Sequence, residues 1–521
     1  MELIVREARK KAELVRGRTI LSYLQELNID INASCGGKGE CGQCLVEVES
    51  SPGALADKTE IEHKFVQNEW QRLACQATIR KTDKPIYVTV PRRSFCILDS
   101  GKYWEIPLSP VVRRAGERVL YESHDLGAYP GRIYGIALDI GTTTLAMYLV
   151  DLETGGVRSV CARENPQTRY GNNVVSRIEF AKNGQSILEQ EIRTAVNEMI
   201  TTLTDPAQVY EIVVVGNPVM RDLFFGYPVE SLGRSPFEPL SLEPVRKMAN
   251  ELRIVANPQA RVYGLPLIGG FVGADALAVV LATGMCKSET ISMAIDIGTN
   301  TEIVLGNRDM LMATSCAAGP AFEGSSITHG ICGVNGAIKE VHIEQGGVLY
   351  KTIGYADPVG ICGSGLIDIL AELLENRIIN GRGKFVGKNK EFLITSRIGL
   401  SEEDIDQLNL AKTAVSVGTK ILLERYGITL GDIESIFLAG AFGYYINVEN
   451  AIRIGLLPPV ELGKVEKVGN AAVEGARQAL VSKLKRADAE AVAKRIEHIK
   501  LEEEPDFIEQ FVGELYFKKY L

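Results

Sequence analysis

Ten residues near the start of the chain, "CGGKGECGQC" (35–44), hold three cysteines and four glycines, and Cys75 follows in "LACQ". Thiolates at short spacing hold soft metals and iron–sulfur clusters. The gaps here are five, two and thirty residues, close to the C-x4-C-x2-C run with a distant fourth cysteine that holds a [2Fe–2S] cluster. The glycines suit the same chemistry. A loop wrapped round an anionic cluster turns its backbone N–H groups towards sulfur, and Gly36, Gly37, Gly39 and Gly42 can take positive φ without strain. Zinc is the alternative, but its sites favour paired short spacings. Here one cysteine stands alone and no histidine assists, so the cluster ranks first, zinc second and four unrelated thiols last. Cys35, Cys41, Cys44 and Cys75 are the candidate ligands.

A second chemistry lies further on. Residues 137–144 read A-L-D-I-G-T-T-T and residues 294–301 read A-I-D-I-G-T-N-T, six of eight positions agreeing. A strand ending in Asp-x-Gly-Thr and turning back into a strand can hold phosphate. The glycine lets backbone approach, successive N–H groups bind oxygens, and threonine hydroxyls add donors. The carboxylates of Asp139 and Asp296 can hold Mg²⁺ through water. One such turn is a weak signal. Two, followed by "FLAGAFG" (437–443) after another apolar strand, are a strong one. In that third motif Gly440 and Gly443 would let backbone lie flat against an adenine or ribose. No G-x-x-x-x-G-K-[ST] run is present, so this is not a Walker-type site.

The elements that must position these residues follow from composition and periodicity. With 521 residues the chain exceeds one compact core, and two to four domains are expected. Net charge is −9 with no Lys/Arg block, which argues against nucleic acid. The longest strongly apolar stretch is too short to span a bilayer. The charged start lacks a signal-peptide apolar region. A cytoplasmic protein without a membrane partner is expected. Strands are expected in "ELIVREARKKAELV", "CLVEVE" and "YVTVP", and helices in "TILSYLQELNI", with Thr19 as N-cap, and "KTEIEHKFV". That makes a small α+β unit over residues 1–95. Residues 96–132 read as a linker with some local structure. From residue 133 strands and helices alternate, with lobe one at about 133–288 and lobe two at about 289–521. A repeat of this size points to two related lobes.

On these residues, the first segment resembles a β-grasp [2Fe–2S] ferredoxin, its longer first gap being closer to the adrenodoxin variety. The three Gly-Thr and Gly-Ala motifs resemble the actin/Hsp70/sugar-kinase ATPases, whose two lobes are RNase H-like. That resemblance implies ATP and Mg²⁺. It assigns Asp139, Gly141, Thr142 and Thr143 to the first phosphate motif, Asp296, Gly298, Thr299 and Asn300 to the second, and Gly440, Ala441 and Gly443 to the adenosine motif. "SCAAGPAFEG" (315–324) adds Gly319 and Glu323 as nucleotide-site candidates before an expected helix start. It and "GICGSGL" (360–366) read equally as anion-facing turns or as close helix packing. Asp275 in "FVGADA" reads as a helix-start residue first and a metal or water carboxylate second.

Ferredoxin, linker and ATPase in this order, with "NPQTRYGNNVVSRI", "GNPVM", "SPFEP", "AGPAFEG" and "AFGYYINVENAIRIGLLP", resemble the reductive activators of corrinoid proteins along essentially the whole chain. The resemblance implies ATP-dependent reduction of a corrinoid protein from Co(II) to Co(I), serving methyl transfer. It also implies a low-potential electron-donor protein, and it suggests a homodimer. Some relatives carry a further domain between linker and ATPase, and residues 96–132 are too few for it. Other readings are an activator of another low-potential acceptor and a sensor whose cluster gates ATP binding. An activator of radical dehydratases would lack the N-terminal ferredoxin. A small-molecule kinase would leave that domain unexplained.

Overall fold

The computed structural model describes residues 1–517 apart from 7–9, 28, 30, 32–36, 40–43, 67–68, 91–101 and 345–346. In chain order the elements begin β1 (Glu2–Val5), β2 (Lys10–Glu13), α1 (Ile20–Glu26), β3 (Leu45–Glu49), α2 (Glu60–Phe65), β4 (Gln71–Leu73) and β5 (Ile86–Thr89). There follow β6 (Val112–Ala115), β7 (Arg118–Tyr121), β8 (His124–Ala128), β9 (Tyr134–Ile140), β10 (Thr144–Asp151), β11 (Val157–Glu164), α3 (Val174–Leu203), β12 (Val209–Gly216) and α4 (Pro218–Phe225). Next are β13 (Val245–Met248), β14 (Arg261–Gly264), α5 (Ala274–Thr283), β15 (Ser292–Ile297), β16 (Thr301–Gly306), β17 (Leu311–Cys316), β18 (Ala337–Glu344), β19 (Gly347–Thr352), β20 (Gly360–Ile361) and α6 (Gly363–Glu375). The chain continues with β21 (Glu391–Leu393), β22 (Gly399–Ser401), α7 (Glu402–Tyr426), β23 (Ser435–Ala439), α8 (Gly440–Tyr445), α9 (Val448–Arg453), β24 (Val465–Gly469), α10 (Ala471–Val481), α11 (Lys483–Ala493), β25 (Ile496–His498) and α12 (Phe507–Glu514). Contacts divide it into two units, one of residues 1–96, 168–172 and 320–409, the other of 97–167, 173–319 and 410–521.

In the first unit, β2-β1-β5-β3-β4 form one mixed sheet, with β1 parallel to β5 and the other neighbours antiparallel. Alternation in "ELIV" and "LVEVE" buries Leu3, Val5, Val46 and Val48 on one face, as the period of two requires. Helix α1 covers that face with Ile20, Leu21, Tyr23 and Leu24. Thr19 caps it by accepting from the Ser22 N–H. Thr59 and Glu62 form a capping box at α2. Glu62 also takes both Nε and Nη2 of Arg72 at 2.7 and 2.9 Å and the Leu73 N–H at 3.1 Å, which pins α2 to β4. The same unit contains the sheet β19-β18-β20, the pair β21-β22 and α6.

The second unit holds two six-stranded sheets, β11-β10-β9-β12-β14-β13 and β24-β23-β15-β16-β17-β25. Their common part is the same. Three antiparallel strands (β9 to β11, β15 to β17) are followed by strands parallel to the first of them (β12 and β14, β23 and β24). Helices α5 and α10 pack on each other, α10 against β9 and β12, α5 against β12, β15 and β16. Nearly every residue of the two is buried, the mark of helices enclosed on all sides. Small residues allow the approach: a Cβ at Gly475 would strike the Ala278 carbonyl.

Where the sequence reads as a linker, the structure carries more. The antiparallel sheet β6-β7-β8 buries Val112, Val119 and Leu126 in the core of the first six-stranded sheet. Upstream, the Ser109 N–H reaches the Val481 carbonyl at 2.9 Å, and Arg477 donates to the Trp104 carbonyl at 2.8 Å. Residues 102–128 are therefore fastened to this unit by α10 and its neighbours. These strands are four or five residues long, too short for periodicity to declare them.

Candidate functional site

The two Gly-Thr turns each close an antiparallel hairpin, the first with four residues between its last paired positions, Ile140 and Leu145, and the second with three, between Ile297 and Thr301. The Gly141 N–H donates to the Thr144 carbonyl at 3.0 Å, and the Gly298 N–H to the Asn300 carbonyl at 3.1 Å. The turns face each other, with Thr143 Oγ1 and Thr299 Oγ1 3.3 Å apart. This juxtaposition of residues 156 apart in sequence is the centre of the site.

Each turn has its own brace. Asn217, the N-cap of α4, donates to Thr142 Oγ1 at 2.9 Å. Asn165 Nδ2 donates to the Gly141 carbonyl at 2.9 Å, and the fully buried Arg177 guanidinium to the Thr142 carbonyl. On the other turn Gly440 takes φ +87°, and a Cβ there would lie 2.6 Å from Asp296 Oδ1 and 3.0 Å from the Ile297 carbonyl oxygen. Only glycine fits both that conformation and that approach. Helix α8, with Ala441 and Gly443, starts at this point, and a Cβ on Gly443 would lie 3.1 Å from Leu438.

Four buried carboxylates on the hairpin strands and on α5 are linked by the charges that act among them. Burial and then the neighbouring charges of Asp275 and Asp296 push Asp139 well above the usual carboxylate range. Burial and Asp275 push Asp296 up to about 7. Burial pushes Asp275 up to about 6. Glu302 is raised well above its ordinary value by burial, Asp275 and Asp296. Asn470 donates to Asp139 at 3.3 Å and Ser315 to Glu302 at 3.1 Å. The neighbouring charges that act on these groups are themselves carboxylates. Among the described residues no three acids stand close enough to ligate one metal ion directly, so a divalent cation near these carboxylates would be reached through water, as Mg²⁺ prefers.

Asp275 stands at the start of a helix, as its first reading expects. It sits in the first turn of α5, its Oδ1 taking the Ala276 N–H at 2.8 Å, and it is the common charge felt by the other three acids. Glu302 was not among the sequence candidates. Its signal is a lone acid in the otherwise apolar strand "TEIVLG", every residue of which is buried. Gly319 has φ +73° and open space where a Cβ would be. Glu323 belongs to the other unit, in a three-residue 3-10 turn, Ala321–Glu323. The helix start expected there is thus a single turn. "GICGSGL" does open a helix, α6, and a Cβ on Gly365 would strike the Ile338 carbonyl, so the glycine serves close packing.

Of the four cysteines, Cys35 and Cys41 lie outside the described residues. Cys44 and Cys75 are both buried. The pairing of β3 with β4 joins them: Leu45 is opposite Leu73, and the Ala74 N–H donates to the Cys44 carbonyl at 2.8 Å. Gly37 and Gly39 take φ +87° and +85°, and a Cβ on Gly37 would lie 3.9 Å from that of Cys75. Gly37 of the glycine loop thus lies beside Cys75.

Three family models match the chain: a 2Fe–2S iron-sulfur cluster binding domain over residues 4–80, the RACo middle region over 134–288, and the C-terminal domain of RACo, the ASKHA domain, over 290–520. Corrinoid activation enzyme RamQ of Eubacterium limosum is 30% identical, covering 93% of this chain and 94% of that protein. The [Co(II) methylated amine-specific corrinoid protein] reductase of Methanosarcina barkeri is 28% identical over 70% of this chain and 73% of its own. A solved structure of a reductive activator for corrinoid, iron-sulfur protein superposes with a TM-score of 0.73 at 29% identity, covering 99% of this chain and 98% of the other.

Proposed function

The chain belongs to the RACo family of corrinoid activation enzymes, and from that premise we propose how its residues carry out ATP-dependent reduction of a corrinoid protein from Co(II) to Co(I). The observation that carries the proposal is the meeting of Thr143 and Thr299, together with four buried carboxylates, in one chain with the buried Cys44–Cys75 pair.

Cys35, Cys41, Cys44 and Cys75 are the ligands we assign to the [2Fe–2S] cluster, which when bound supplies one electron to the cobalt. A low-potential donor protein is the source of that electron. The hydroxyls of Thr142, Thr143 and Thr299 and the turn N–H groups of both hairpins hold the phosphates of ATP. Asp139 and Asp296 would hold Mg²⁺ through water, with the charges of Asp275 and Glu302 acting on them, and Gly440, Ala441 and Gly443 would lie along the adenosine. One electron moved uphill costs about 1.4 kcal/mol per roughly 59 mV, so the nucleotide's contribution is conformational. The two sheets are separated by α5 and α10, whose contact is made of small side chains. Such an interface permits the sliding of packed helices when hairpins close on a ligand. Among the described residues no helix is long and apolar enough to cross a membrane. The cytoplasm is the proposed compartment and a homodimer the proposed assembly.

The test uses anaerobic, reduced protein with Co(II) corrinoid proteins, following the visible spectrum. Co(I) is expected with ATP, and neither with a non-hydrolysable analogue nor after Asp296→Asn or Cys75→Ala. Co(I) formed without ATP at the same rate would overturn the proposal.

A further inference from the structure

The side chain of Gln76 turns back on its neighbour: Nε2 lies 3.5 Å from Cys75 Sγ, within the reach of an N–H···S hydrogen bond. The turn that carries both is tight, with the Gln76 and Ala77 N–H groups both donating to the Leu73 carbonyl at 2.9 Å. The pinned pair Glu62–Arg72 precedes it directly on β4. Gly39 lies on the other side of the amide. An ideal Cβ there would be 2.8 Å from Gln76 Nε2, 3.2 Å from its Cδ and 3.2 Å from Ile61 Cγ2. A methyl at residue 39 therefore cannot coexist with the amide where it stands. Gly37 makes the contrast. Its φ is the same within two degrees, +87° against +85°, yet a Cβ there meets only Leu21 at 3.5 Å and Cys75 Cβ at 3.9 Å, and no part of Gln76.

We propose that Gln76 tunes the reduction potential of the cluster by donating to the sulfur of Cys75, and that Gly39 is glycine to leave room for that amide. This rests on reading Cys75 as a cluster ligand. Electron density on the ligand sulfurs rises when a cluster is reduced, so a donor held there stabilises the reduced form more than the oxidised one and raises the potential. The amide orientation follows from the same charge: the opposite one would set a carbonyl oxygen against an anionic sulfur. A cluster fed by a donor protein must remain reducible by it, and Gln76 keeps it so. An Ala at residue 39 would expel the amide, the flexible partner, while Ile61 closes the other exit.

The experiment is an EPR-monitored redox titration of the full-length, cluster-loaded protein and its variants. Gln76→Leu and Gly39→Ala should each lower the midpoint, by similar amounts, and the double variant should lower it no further. Gln76→Glu, which replaces a donor by an anion, should lower it most. Gly17→Ala, equally strained in backbone at φ +88° and with nothing within 4 Å of the added methyl, should leave it where it is. A wild-type midpoint in Gln76→Leu would overturn the proposal, and additive shifts in the double variant would remove Gly39 from it. If Gly39→Ala loses its cluster, the two Gln76 variants still decide. An unaltered EPR spectrum after Cys75→Ser would instead overturn the ligand assignment beneath it.

Discussion

The two Gly-Thr hairpins share a strand–turn–strand plan, with the second turn one residue shorter than the first, and differ in chemistry. Across the first, Asp139 stands opposite Ala146, which stands opposite Ala162. Across the second, Asp296 stands opposite Glu302, which stands opposite Ser315. Cross-strand partners share a face, so the first hairpin offers one carboxylate in an apolar row and the second a continuous polar row. The strands that follow match as well: Gly216 pairs with Ile140 as Gly440 follows Ala439, the partner of Asp296. After Gly216 comes Asn217, which braces Thr142. After Gly440 comes α8 and no such side chain. The duplicated fold thus supplies two equivalent phosphate turns, and their differences distribute the work. Asn165, Asn217 and the Arg177 guanidinium hold the first turn, and carboxylates gather on the second.

The largest effects should fall on the shared aspartates. Asp139→Asn and Asp296→Asn should each reduce ATP-dependent Co(I) formation about 100-fold or more, the scale on which oriented charge at a phosphoryl site acts. Glu302→Ala makes the second row resemble the first. It should cost less, about tenfold, in turnover and leave the ATP half-saturation concentration within about twofold, as a residue that acts on charge arrangement more than on binding would. Equal losses from Glu302→Ala and Asp296→Asn would mean that the rows are not divided as described.

The glycines give the next effect. Gly440→Ala places a methyl against Asp296 at a positive φ and should destabilise the protein by about 1–3 kcal/mol while lowering ATP turnover. At Gly216 a methyl would lie 2.7 Å from the Ile140 carbonyl oxygen and meet no carboxylate. Gly216→Ala should therefore lose stability in a denaturant titration with a smaller loss of turnover per unit of stability.

The sheets also differ in their sixth strands: β13 adds antiparallel beside β14, whereas β25 adds parallel beside β17. His498 ends β25, against Gly269 of the segment that leads to α5, where a Cβ would strike its Nδ1. Burial, helped by Lys500 and opposed by Glu503, lowers His498 to about 4 from 6.5. The folded ring resists protonation more than the unfolded one. Its contribution to stability is whole above pH 6.5 and is lost as pH falls towards 4. Thermal unfolding midpoints should drop over that window, and His498→Gln should flatten the drop relative to wild type.

How much of this was legible depended on whether the signal was local. The cysteine loop, the Asp-Gly-Thr turns and the Thr19 cap are short patterns with direct mechanical meaning, and strands β9, β12 and β15 are apolar runs. Two resemblances, to ferredoxins and to two-lobed ATPases, carried the rest of the fold. Glu302 was missed because a single acid in a strand carries no sign of which cross-strand partner it will meet. Arg177 was missed for a related reason: a helix arginine gives no hint that it will be fully buried on the Thr142 carbonyl. The strap of residues 102–128 has its meaning only in contact with α10, more than 340 residues later, and nothing local in it marks that contact.

The smallest effect is the one that bears most directly on the two hairpins as a pair. Thr143 Oγ1 and Thr299 Oγ1 are within hydrogen-bond reach of each other, and a net hydrogen bond of this kind is worth about 0.5–1.5 kcal/mol. Thr143→Val, Thr299→Val and the double variant form a cycle whose coupling energy isolates the pair. In the nucleotide-free protein, unfolding should give a coupling of about 0.5–1 kcal/mol. With ATP bound, each hydroxyl acquires a phosphate oxygen as partner, and the same cycle measured on nucleotide affinity should show the two threonines acting nearly independently. One of the two hydroxyls donates its proton to the direct bond, and that hydroxyl must release it to donate to a phosphate oxygen. A coupling that persists undiminished in the nucleotide complex would make the contact a fixed fastening between the hairpins, and the donating hydroxyl would then take no part in holding the phosphates.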